Sequence, residues 1–128
     1  MKMKYAIALS AAAGLAVGAA AVQTLHAQAK PPGFIVAEID VSNEEGYNKE
    51  FLPLAGKALQ AYGVKFLVRG GKPEAIYGAP PSKRVVIGMY ESVEKAKGAY
   101  TSPEYMKARE IGDKYGKFRV FVAEGVAQ

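Results

Sequence analysis

The chain has 128 residues, half of them hydrophobic, with 17 basic and 12 acidic side chains, one histidine and no cysteine. This length holds one domain, and the lack of cysteine excludes disulfides and thiolate chemistry. The single histidine, His26, lies in the leader described next, so the remaining chain has no Ser-His-Asp or Cys-His catalysis, no His-ligated haem and no zinc site of the usual nitrogen and sulfur type.

Lys2 and Lys4 open the chain, residues 5–22 carry no charge, and the segment closes on Ala27-Gln28-Ala29. A basic n-region, an apolar stretch and a small-x-small end are the layout of a secretory signal peptide, residues 1–29, cleaved after Ala29. An uncleaved anchor is the rival reading, since a run of this length just reaches across a bilayer. Its Ala- and Gly-rich composition inserts weakly. With no cysteine to lipidate and no twin-arginine pair, the general secretory route is the simplest. The expected location is periplasmic or secreted, with no stable membrane insertion after cleavage. Lys2 and Lys4 leave with the leader, so the small surplus of basic groups on the remainder is solubility charge. Nucleic-acid binding needs clustered Lys and Arg on one face, and no such partner is expected.

Residues 30–33, Lys-Pro-Pro-Gly, read as an extended linker, and the domain is expected over 34–126. Alternation of Ile35, Ala37, Ile39 and Val41 predicts a strand from Phe34 to Val41. Ser42-Asn43-Glu44-Glu45 reads as a capping box with Ser42 as the cap. A helical stripe of Tyr47, Phe51, Leu54, Ala55, Ala58 and Tyr62 follows, with Gly63 beyond its end. Pro53 lies inside that helix and is expected to kink or split it. Val64 to Arg69 is the second strand, Gly70-Gly71 a hairpin turn, Glu74 to Tyr77 a short strand and Gly78 to Ser82 a Pro-rich loop. Lys83 to Glu91 is the third full strand. Ser92 caps a helix to about Tyr100, and Ser102-Pro103-Glu104 restarts it, with Pro103 at the first helical position. Tyr105, Ala108, Gly112 and Tyr115 form its inward stripe, Gly116 ends it, and Lys117 to Glu124 is the last strand.

The order β-α-β-β-α-β closes most compactly as a four-stranded antiparallel sheet with both helices on one face, a ferredoxin-like α+β plait. The strands are apolar on both sides. Val85, Ile87 and Met89 oppose Val86, Gly88 and Tyr90, while Phe118, Val120 and Val122 oppose Arg119, Phe121 and Ala123. An uncovered apolar sheet face leaves burial unused. A second copy of the same sheet is the expected cover, giving a homodimer in which Val86 and Phe121 would be shielded. A lipid-like ligand is the alternative cover.

Arg69 and Arg84, on adjacent strand ends, are candidates to hold a carboxylate. Their competing use is pairing with Glu74 or Glu38 at a sheet edge. Tyr47, Tyr90, Tyr100 and Tyr105 are candidates to bind an aromatic ligand or stabilise an enolate, or are core and interface packing. Glu38 and Asp40 are candidates for an acid–base pair in a cleft, or are solvated strand residues. Gly70-Gly71 offers an anion-binding nest or a positive-φ turn.

Phe66-Leu67-Val68-Arg69-Gly70-Gly71-Lys72-Pro73-Glu74, Arg84-Val85-Val86-Ile87, Tyr90-Glu91-Ser92 and Tyr100-Thr101-Ser102-Pro103-Glu104-Tyr105 resemble the bacterial family known as domain of unknown function 1330, over roughly Phe34 to Gly125. The resemblance implies a dimeric α/β-barrel, two plaits packed sheet to sheet. The wider superfamily includes cofactor-independent monooxygenases, haem proteins and isomerases. The family itself has no established activity, so the resemblance assigns no catalytic residue. The leader departs from relatives that look cytoplasmic. The expected function is small-molecule binding in a cleft, of a carboxylate or aromatic compound, by Arg69, Arg84, Glu38, Glu74, Tyr90 and Tyr105, without cofactor or metal. A cofactor-independent enzyme and a purely structural envelope dimer are the alternatives.

Overall fold

The computed structural model describes residues 30–127; the expected leader, residues 1–29, lies outside them. Strand β1 (Gly33–Val41) leads into a helical segment of three consecutive parts: α1 (Glu44–Gly46), a π-helical turn (Tyr47–Phe51) and α2 (Leu52–Gln60). β2 (Lys65–Gly71) and β3 (Arg84–Tyr90) follow, then α3 (Val93–Thr101), α4 (Pro103–Gly112) and β4 (Gly116–Glu124). The sheet order is β2-β3-β1-β4 with every pairing antiparallel, the order of a ferredoxin-like plait.

The cap of the first helical segment is Asn43 rather than Ser42. Both residues donate their backbone N–H to the Tyr115 carbonyl, which holds the chain extended for one residue longer. The Asn43 side chain then accepts from Gly46 N at 3.0 Å. Pro53 has no N–H and its ring crowds the carbonyl four residues back. The chain accommodates it by widening just before it, with Leu52 N–H donating to Tyr47 O, a five-residue step. The expected split is therefore a local π turn.

The register places Ile35, Ala37 and Ile39 of β1 beside Gly88, Val86 and Arg84 of β3, and beside Val122, Val120 and Phe118 of β4. This is the face the helices cover. Ile35, Ala37, Ile39, Phe51, Ala55, Leu59, Ala96, Ala99, Tyr105 and Ala108 are buried there, with Val86, Val120 and Val122 packed against them. Val86 is thus beneath the helices, which corrects its expected place on the outer face. The opposite face carries Phe34, Val36, Glu38 and Asp40 of β1, Val85, Ile87 and Met89 of β3, and Arg119 and Phe121 of β4. Its apolar members are half-buried, apart from Phe121, which is 45% exposed.

Ser92 and Ser102 cap their helices as expected, Ser92 accepting from Lys95 N at 3.1 Å and Ser102 from Tyr105 N at 3.2 Å. Helix α4 stops at Gly112, and Gly116 opens β4 instead of ending the helix. Residues 74–77 form no strand: Glu74 is exposed, and Ile76 and Tyr77 are 99% and 98% exposed, so no sheet neighbour compensates their backbone. Gly70 has φ +77° and sits where the β2–β3 register slips, between Arg69 and Gly71. It is a bulge inside β2 rather than the expected hairpin turn. Among the described residues no helix is long and apolar enough to cross a membrane.

Candidate functional site

Between the helices and the covered sheet face lies a cleft of about 40 Å³. Its walls are apolar, from Ala37, Phe51, Leu52, Ala55, Phe66 and Phe118, and Arg69 and Arg84 supply its two cations. Ile39, Tyr47 and Arg84 also line a second, more polar compartment of about 250 Å³, together with Glu44, Asn48, Gly70 and Lys83. Those three residues form the neck between a small apolar interior and a wider polar mouth.

The sequence dictates this neck through register. Arg69 of β2 lies opposite Val86 of β3, so it shares a face with Arg84 two residues earlier. The bulge that skips Leu67 keeps Phe66 opposite Gly88 while bringing Arg69 round to the helix side. The Arg69 guanidinium stacks 4.4 Å from the Phe66 ring centroid, and a Cβ on Gly56 of α2 would stand 3.4 Å from its Nη2. The Arg84 guanidinium lies 5.1 Å from the Tyr47 ring centroid. A Cβ on Gly70 would come within 2.6 Å of Arg84 Nη1, so the glycine leaves the room that guanidinium occupies.

Neither arginine has a carboxylate within 4.0 Å among the described residues, and Arg84 Nε is buried with no hydrogen-bond partner. A desolvated, unpaired guanidinium N–H is costly to leave unmade, several times the worth of an ordinary surface bond. Such a group is a ready donor for an anionic oxygen, and two planar forks suit a carboxylate.

The tyrosines bound the apolar end. Tyr100 and Tyr105 pack at a tilt with centroids 4.5 Å apart, and Tyr47 packs 5.1 Å from Phe51. Burial raises the Tyr47 phenol above its ordinary range, opposed by the charge and hydrogen bond of Arg84. Burial likewise raises Tyr105, opposed by Arg109, and raises Tyr100, reinforced by Tyr90 and Tyr105. These phenols stay protonated at neutral pH and serve as donors or apolar walls rather than as bases.

The structure brings together only part of the predicted site. Arg69, Arg84 and Tyr105 line the cleft, with Tyr47. Tyr90 is on the same sheet face but deeper, 6.4 Å from the Tyr100 ring, with its hydroxyl buried and unpartnered. Burial is the main cause of its raised pKa. Glu38 is on the other face of the sheet, paired with Arg119 and accepting from Ser82 N at 3.1 Å. Asp40 joins it by accepting from the Ser82 hydroxyl at 3.3 Å. Glu74 is exposed in the β2–β3 connection and pairs with neither arginine. Strand alternation separates Glu38 from Arg69 and Arg84, an odd-even distinction visible in the sequence once the covered face is fixed. Sequence reasoning read Gly70 as a nest or positive-φ turn residue, and its φ is +77°, but not as the residue that leaves room for Arg84, and it gave Gly56 no role; nothing in a pattern of residue types signals such close approaches.

The family model described as Domain of unknown function (DUF1330) matches residues 32–126. Comparison with curated proteins finds no match. A solved structure of a Rhodopseudomonas palustris protein of unknown function aligns with TM-score 0.60 and 15% identity, covering 77% of this chain and 85% of that one. A Caulobacter crescentus CB15 protein, provisionally described as an antibiotic biosynthesis monooxygenase, aligns with TM-score 0.54 and 18% identity over 77% of this chain and 92% of that one. SnoaB, a cofactor-independent oxygenase from Streptomyces nogalater, aligns with TM-score 0.51 and 7% identity over 77% of this chain and 96% of that one. At these identities the likeness is one of fold.

Proposed function

The chain belongs to the DUF1330 family, and from that premise we propose that it is an exported homodimer whose cleft binds a small carboxylate with a short apolar or aromatic body. The observation that carries the reading is the buried, unpartnered Nε of Arg84 at the neck between an apolar interior and a polar mouth. The carboxylate sits at that neck, against Arg84 and within reach of Arg69. The body points inward, where 40 Å³ offers room for roughly three waters and so for a few carbon atoms before side chains must yield. Binding is placed before catalysis because the tyrosines around the cleft are held protonated and, among the described residues, no carboxylate lines its apolar interior, Glu44 standing in the outer mouth.

Export rests on the leader's layout in the sequence. Pairing rests on the outer sheet face, where Phe34, Val36, Val85, Ile87, Met89 and Phe121 form an apolar surface that a second sheet would cover. Native mass spectrometry of the protein purified gently from the cells that make it tests all three parts. The expected spectrum shows two copies of residues 30–128 with a small acidic adduct. A single copy without adduct overturns the reading, and a chain that retains residues 1–29 overturns the cleavage.

A further inference from the structure

Residues 72–83 join β2 to β3 outside every helix and strand, and they are exposed apart from half-buried Pro73 and Ser82. At their centre Ile76 and Tyr77 are 99% and 98% exposed, well above Leu67 at 48% or Phe121 at 45%. A lone exposed apolar residue needs no explanation, but an adjacent Ile–Tyr pair in full contact with water contributes nothing to its own protomer's packing.

Where this arm is aimed follows from its root. Ser82 donates its backbone N–H to Glu38 Oε1 at 3.1 Å and its hydroxyl to Asp40 Oδ2 at 3.3 Å. Both carboxylates stand on the sheet face turned away from the helices, so Ser82 ties the arm to the apolar outer surface, while Gly70 and Lys83 near its two ends line the polar mouth. Its backbone is also stiffened. Pro73, Pro80 and Pro81 fix φ on both limbs, and Gly78, with φ +84°, turns the chain directly after Tyr77. A stiff arm loses less freedom when it seats on a partner.

The geometry points to a clasp: the arm of each protomer lays Ile76 and Tyr77 on the second copy of the chain that covers its outer sheet face. This rests on the dimer reading above, and the Ser82 contacts make the arm continuous with that same face. Tyrosine is among the side chains that most often anchor interfaces, because it offers a large apolar area with a polar tip at little rotamer cost.

The test compares wild-type protein with the I76S/Y77S variant by sedimentation equilibrium, alongside hydroxyl-radical footprinting of Tyr77 across the concentration range. Both positions are open to solvent, so the variant keeps the fold, which circular dichroism checks. The clasp predicts a dimer Kd raised at least tenfold and Tyr77 protection that grows with the dimer fraction. A variant with the wild-type Kd, and Tyr77 equally oxidised in monomer and dimer, overturns the clasp and leaves the dimer standing. Normal dimerisation with weakened binding of butyrate, titrated into both proteins as a small carboxylate probe, makes the arm a lid over its own cleft and also overturns the clasp. A monomeric wild-type protein overturns clasp and dimer together.

Discussion

Arg84 is the residue on which the site turns. Its Nε is buried without a partner, a stability cost that the fold accepts at this position. Replacing an unsatisfied buried donor by an apolar side chain of similar length is often neutral or stabilising. Arg84→Met is therefore expected to change unfolding free energy by no more than about 1 kcal/mol, in either direction. The same change should weaken carboxylate binding at least tenfold, separating stability from function in one variant. Gly70→Ala should harm both, because its Cβ would meet Arg84 Nη1 at 2.6 Å and its φ is +77°; thermal melts should show a loss of about 1–2 kcal/mol. That Arg69 and Arg84 lie on adjacent strand ends was legible in the sequence from topology; that both face the helices was not, because the bulge at Leu67 resets the phase of β2. The glycines beside them were not, because close approach is a property of three-dimensional packing.

Glu38 belongs to a different device. The Arg119 hydrogen bond, helped by the Ser82 backbone N–H, holds its carboxyl below the ordinary value of 4.5. A lowered folded-state pKa contributes stability above the unfolded value, and that contribution is lost as pH falls through the lower, folded value. Glu38→Gln should thus flatten the acid limb: its melting temperature should fall less than wild type's as pH drops from neutral to well below 4.5. Equal acid sensitivity in the two proteins would show that the pairing with Arg119 is not felt in solution.

Among the elements, the α3–α4 junction is the clearest case of local sequence dictating structure. The Ser102 hydroxyl donates to Ala99 O at 2.8 Å and accepts from Tyr105 N at 3.2 Å, closing one helix and opening the next from a buried position. Removing both bonds in Ser102→Ala should cost about 1–2 kcal/mol in denaturant titration. Gly112 shows the opposite kind of constraint. A Cβ there would stand 2.5 Å from Phe51 Cδ1 and 3.0 Å from Phe118 Cζ, so Gly112→Ala should cost about 1–3 kcal/mol through overpacking. Caps at Ser92 and Ser102 were readable because serine before a helical run has one main use. The cap at Asn43 was missed by one residue because the Tyr115 carbonyl, distant in sequence, holds both Ser42 and Asn43 N–H. The π turn was foreseeable only as a disturbance near Pro53; that the helix widens instead of kinking depends on the core that holds Tyr47 and Phe51 in place.

At the scale of the whole molecule, the plait was legible because strand alternation, two capped helices and short connections agree with one topology. Which side of β3 faces the helices was not, since Val85-Val86-Ile87 is apolar on both sides and hydrophobic phase then has nothing to separate. The same two-sided apolarity leaves Val85, Ile87 and Met89 on the outer face, the surface on which the proposed pairing rests. Phe121→Lys, on edge strand β4 of that face and 45% exposed in the protomer, should leave the fold intact and raise the Kd of the proposed dimer at least tenfold in sedimentation equilibrium.

An anion held at the neck by Arg84 and Arg69 should be seen in calorimetric titration of the purified protein with butyrate and benzoate, each beside its uncharged alcohol. One saturable site per protomer for an acid, little or no heat for the matching alcohol, and loss of the site in Arg84→Met is the predicted result. Equal binding of acid and alcohol, or acid binding that survives Arg84→Met unchanged, would contradict it.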